Sequence, residues 1–163
     1  MTDDRATILR KALQLQPHPE GGHFRELFRS AQAVQPQDGR PTRSALTSID
    51  FLLEAGQFSA WHRVASDEAW HLLEGGPLRL WLLPPNLSRI EQVDLAPVDG
   101  AGCAPRHVVP ANWWQAAEPL GALAYVGATV GPGFEFADFR FGRDDAALCA
   151  ALQRLPGALG RLL

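Results

Sequence analysis

Gly56-Gln57-Phe58-Ser59-Ala60-Trp61-His62-Arg63-Val64 and, past a short turn, Asp67-Glu68-Ala69-Trp70-His71-Leu72-Leu73-Glu74-Gly75 are the stretch on which the fold is decided. Each is a strand-length run bounded by glycine or polar punctuation. Side chains alternate across a strand, so His62 and Val64 share one face while Trp61 and Arg63 take the other. In the second run Glu68 shares its face with Trp70 and Leu72, and His71 falls opposite. Asp67 fixes the turn that precedes Glu68.

Working outward, the same grammar repeats. Strands are predicted at His23–Ser30, Ser44–Leu53, Phe58–Val64, Ala69–Glu74, Leu78–Leu83, Arg89–Leu95, Arg106–Val109, Trp114–Ala117, Ala122–Val130 and Glu135–Phe141, with Ala31–Pro41 as a surface loop. Many short strands with regular turn signals indicate an antiparallel sandwich or barrel. Residues 2–14 begin with Thr2, Asp3 and Asp4 and place Ile8, Leu9, Ala12 and Leu13 at helical spacing. Residues 144–155 do the same with Ala147, Leu148, Ala151, Leu152 and Leu155 before Pro156-Gly157 stops them. A single domain over residues 1–163 with a short helix at each end is expected.

Composition narrows the function classes. The 163 residues are 46% hydrophobic and 20% charged, with 15 Gly and 13 Pro spread among apolar runs, which suits one globular core. A net charge of −3 with scattered arginines leaves no basic patch for nucleic acid. No apolar stretch approaches the roughly 20 residues needed to cross a bilayer, and the acidic N-terminal residues do not read as an export signal. Cys103 and Cys149 are far apart and belong to no Cys-x-x-Cys pair, so a reducing cytoplasm is the expected setting.

The spacing Gly56-x5-His62, then Glu68-x6-Gly75, resembles the first motif of the cupin superfamily. Pro17-His18-Pro19-Glu20-Gly21-Gly22, Phe24-Arg25-Glu26, His62-Arg63, Asp67-Glu68-Ala69-Trp70-His71, Val109-Pro110-Ala111, Trp114-Gln115 and Gly131-Pro132-Gly133-Phe134-Glu135-Phe136 together are similar to the small single-domain cupins of largely unassigned function. The resemblance covers about residues 13–142. It implies an all-β, antiparallel double-sheet jelly roll, a cupin barrel, with His62 and Glu68 aimed into its interior. It also implies a homodimer and a small-molecule ligand.

The ligand set of the resembled family is incomplete here. Its second motif histidine falls on Val64, and its later histidine falls on Gln115. A divalent metal would have only His62, Glu68 and the amide oxygen of Gln115 to hold it, whereas catalytic zinc takes three strong protein ligands and non-haem iron two histidines and a carboxylate. Weak or no metal binding is expected. Without metal, His62 and Glu68 make an acid/base pair in which the carboxylate raises the imidazole pKa. Gln115 and Arg25 are candidates to stabilise an enolate, and Trp70 to line the pocket. His18 is read as a conformational or dimer contact. Three functions stay open: a metal-independent isomerase or epimerase acting on a sugar-like carbonyl compound, a non-catalytic ligand-binding or structural dimer, and a metal-dependent oxygenase or isomerase.

Overall fold

A computed structural model describes residues 4–163. Asp4 caps the first helix, α1 (Arg5–Ala12), its side chain accepting from the Thr7 backbone N–H at 2.7 Å and so satisfying one of the donors that a helix start leaves free. Thr2 and Asp3, read with Asp4 as the helix start, lie outside the described residues. The helix buries Ala6 and Leu9, while Ile8 turns out to solvent at 41% exposure.

The strands follow as β1 (Gln16–Pro17), β2 (His23–Arg29), β3 (Ala33–Val34), β4 (Arg43–Ser44), β5 (Thr47–Glu54), β6 (Ser59–Val64), β7 (Asp67–Gly75), β8 (Leu78–Leu83), β9 (Glu91–Leu95), β10 (Arg106–Val109), β11 (Trp114–Pro119), β12 (Leu123–Gly131) and β13 (Phe139–Phe141). The last helix, α2 (Ala146–Arg154), is capped by Asp145, which accepts from the Leu148 N–H. A six-stranded sheet runs β1-β2-β5-β12-β7-β10 and a five-stranded sheet runs β13-β6-β11-β8-β9. Their ladders are antiparallel, and the two sheets form the all-β jelly roll that the turn spacing predicts.

Alternation explains what each face buries. Phe51, Trp70 and Val126 of one sheet pack against Leu80, Leu82 and Ala117 of the other to make the inner core. Outward residues are not wasted on water: Trp61 and Trp114 lie under Leu148 and Leu152 of α2, and Leu52 and Leu123 lie under Ala6 and Leu9 of α1. Each fully buried leucine of this kind contributes about 1.5–3 kcal/mol relative to exposure. The helices at the two ends therefore roof opposite sheets.

Two segments differ from the sequence expectation. The loop 31–41 carries β3, which pairs with β4 in a small hairpin. Residues 135–138 are not strand: Phe136–Asp138 is a 3₁₀ turn, and only Phe139–Phe141 pairs with β6. The cause is Asp138, whose carboxylate accepts from both Arg40 and Arg43 and is thereby drawn away from a strand path. That bend carries Phe134, Glu135 and Phe136 over the open end of the sandwich.

Candidate functional site

The site begins with a turn. Gly21 and Gly22 have φ of +114° and +70°, and a Cβ on Gly21 would stand 2.0 Å from the Phe58 carbonyl oxygen, so only glycine allows this approach. The turn is closed by the Gly21 N–H donating to the His18 carbonyl and the His18 N–H donating to the Gly22 carbonyl. Ala60 N–H then donates to the Glu20 carbonyl at 2.8 Å, which lays Glu20 along β6 beside His62. The Pro17–Gly22 segment thus delivers two titratable side chains, His18 and Glu20, into the end of the barrel.

A cavity of about 100 Å³ lies there, lined by His18, Glu20, His62 and Glu68, by Glu26 and Glu135 toward its mouth, and by Phe24, Ile49, Val64, Phe134, Phe136 and Phe139 among its apolar walls. His62 is 2% exposed. Its Nδ1 lies 2.7 Å from the Ala60 carbonyl oxygen, an atom that can only accept, so the neutral ring carries its proton on Nδ1 and keeps the Nε2 lone pair free. Nε2 stands 3.3 Å from Glu20 Oε2. Phe139 stacks on the imidazole with ring centroids 5.2 Å apart. Glu20 Oε1 accepts from the Ser59 hydroxyl, and the Glu20 backbone N–H donates to His18 Nδ1, so neutral His18 carries its proton on Nε2.

Glu68 enters from the opposite sheet. Its Oε2 accepts from Gln115 Nε2, and Gln115 Oε1 in turn accepts from Trp70 Nε1 at 2.9 Å. Oε1 of Glu68 has no hydrogen-bond partner among the described residues. Burial pushes the Glu68 carboxyl up to about 7; the neighbouring Glu20 charge adds to this, and His62 and the Gln115 bond oppose it. Burial also raises Glu20, against the pull of His18 and the Ser59 bond. It lowers His62 and His18, outweighing the carboxylates beside them. The expected upward shift of His62 is therefore corrected: removing the ring from water costs its cationic form more than the neighbouring carboxylates return. Near neutral pH the cavity holds neutral imidazoles and, in Glu68, a carboxyl poised to gain or lose a proton, the condition that general acid/base chemistry asks for.

The residues singled out in the sequence divide between cavity and scaffold. His62 and Glu68 line one cavity, but the carboxylate nearest to the imidazole is Glu20. Gln115 is 1% exposed and stands behind Glu68 with both ends of its amide engaged. Trp70 is likewise in the inner core, one layer from the cavity, and does not line it. Arg25 is on the outer side of β2, its Nε donating to Asp50, which also accepts from the Tyr125 hydroxyl. Strand alternation puts Phe24 and Glu26, not Arg25, toward the cavity. His18 and Glu20 were missed as site residues. The signal that could have found them is an acid directly before two consecutive glycines in a proline-stiffened segment.

The donor set does not fit a metal. Val64 presents a methyl pair where an imidazole is needed, and Gln115 Oε1 is already an acceptor for Trp70. Among the described residues no group of three or more His, Cys, Asp or Glu is arranged to hold an ion.

Comparison with known proteins places this geometry in context. Residues 8–142 match the family model described as Cupin superfamily (DUF985). A hypothetical protein from Leishmania major is 27% identical over 98% of both chains, with a TM-score of 0.87. A Shewanella oneidensis protein of known crystal structure is 30% identical, covering 99% of this chain and 98% of its own, with a TM-score of 0.83. Oxalate decarboxylase from Bacillus subtilis, at 14% identity and a TM-score of 0.55 over 77% of this chain and 29% of its own, shares the fold alone. No curated protein matches the chain.

Proposed function

The chain belongs to the DUF985 family of the cupin superfamily, and from that premise we propose that its cavity takes up a small molecule and moves a proton on it, as an isomerase acting beside a carbonyl does. The observation that carries this reading is the contact of His62 Nδ1 with the Ala60 carbonyl oxygen. With Nδ1 committed to Ala60, the Nε2 lone pair faces the cavity between Glu20 and the ligand space. In this scheme Nε2 takes the proton from the carbon next to the carbonyl, and Glu20 stabilises the imidazolium that results. Glu68, still partly protonated near pH 7, donates to the developing enolate oxygen from the opposite wall. Return of the proton to a different carbon, or to the other face of the same one, completes an isomerisation or epimerisation with no net redox change.

Solvent-deuterium incorporation into a panel of small keto compounds tests this. Wild-type protein is expected to exchange the proton, and His62→Asn to lose about a hundredfold or more of that rate while still binding ligand. Binding without any exchange in the wild type would leave a binding module instead. The exposed pair Leu27 and Phe28 on β2, at 56% and 51%, supports pairing as a homodimer, which sedimentation equilibrium would check. The unbridged Cys103 and Cys149 support a cytoplasmic setting.

A further inference from the structure

We infer that the cavity selects a small organic cation, an ammonium or alkylated ammonium on a compact body, seated between the Glu68 carboxylate and the aromatic wall. The inference rests on the cavity being a ligand site and does not need proton transfer to occur there. Among the described residues no Lys or Arg side chain lines the space. Arg29 stands outside the lining, spent on Glu26 and Glu135 at the mouth, two carboxylates on one cation. An anionic ligand would therefore enter a desolvated space with no counter-charge, the costliest way to bury a charge.

A cation meets the opposite conditions. Glu68 is 7% exposed, lines the cavity and keeps Oε1 without a hydrogen-bond partner among the described residues. Phe134, Phe136 and Phe139 pack on one another edge to face at interplanar angles of 81°, 75° and 66°, and Phe139 also stacks on His62, so they form one continuous aromatic wall of the cavity. Such a wall offers aromatic surface to a cation that lacks, or cannot use, further hydrogen bonds. The walls Ile49, Val64 and Phe24 suit the apolar body that would carry it. A buried carboxylate, an aromatic wall and a lining without Lys or Arg among the described residues together describe the recognition of an alkylammonium group.

Isothermal titration with three probes of similar size and different charge tests the inference on the whole protein: tetramethylammonium, tert-butanol and pivalate. Tetramethylammonium is expected to bind about tenfold tighter than tert-butanol, and pivalate more weakly than either. Glu68→Gln should remove about that tenfold advantage and leave tert-butanol unchanged. Phe136→Leu, at a rim position that is 60% exposed, should weaken tetramethylammonium severalfold without disturbing the fold. Pivalate binding as tightly as the cation, no measurable cation binding, or a cation affinity that ignores both substitutions would overturn the inference. Because deuterium exchange is read on neutral ketones, a protein that exchanges them yet rejects tetramethylammonium would lose this inference and keep the proposed proton transfer.

Discussion

Replacing Glu68 with glutamine should change how stability depends on pH. In the folded chain burial raises this carboxyl from 4.5 to about 7. A raised carboxyl binds its proton more tightly folded than unfolded, so its contribution is present at acid pH and is lost as pH climbs from about 4.5 through 7. Converted at about 1.4 kcal/mol per pKa unit, the shift corresponds to a penalty of about 3 kcal/mol once Glu68 is fully ionised in the fold. The substituted amide cannot ionise, and its oxygen can still accept from Gln115 Nε2. Urea unfolding followed by tryptophan fluorescence should find variant and wild type within about 1 kcal/mol at pH 5, with the variant about 3 kcal/mol more stable at pH 8.5. Glu20, His18 and His62 titrate in both proteins, so the difference between the two curves reports Glu68 together with its coupling to Glu20 and His62. A stability difference that stays the same at both pH values would refute the claim that burial raises this carboxyl.

Two other substitutions probe the frame of the site. Asp138→Ala removes the acceptor shared by Arg40 and Arg43; Arg40 keeps Asp38, but Arg43, whose side chain is 9% exposed, loses its carboxylate, and calorimetry should show a loss of about 3 kcal/mol. The same change should free the 3₁₀ turn that carries Phe136, read as faster hydrogen exchange across residues 134–139 than in the rest of the five-stranded sheet. Val64→His places a second imidazole on the cavity face of β6, two residues from His62. Equilibrium dialysis should then show zinc retained by the variant and much less by the wild type; equal retention would contradict the reading that Val64 is what breaks the ligand set.

The sequence by itself determined the architecture and the inward facing of two candidate site residues. Period-two alternation from Gly56 to Gly75 is a local property of the chain, so the inward aim of His62 and Glu68, and the outward aim of Trp61 and His71, could be read without coordinates. Both capped helices and most of the strands, though not the start of the last one, were legible for the same reason, since Asp4, Asp145 and the glycines act within a few residues of themselves. The partnerships were not legible, because they join residues distant in the chain. Glu20 reaches His62 only because Gly21 packs against the Phe58 carbonyl. Gln115 turns from a candidate ligand into a buttress because Trp70, 45 residues away, takes its oxygen. Arg25 faces outward by alternation, but its anchor there, Asp50 held in turn by Tyr125, is a partnership that only sheet order supplies. Tertiary structure also set the protonation states: the sequence supplies the acids and imidazoles, but how far each pKa moves depends on how much water the assembled sheets exclude, and that is a property of the closed cavity alone.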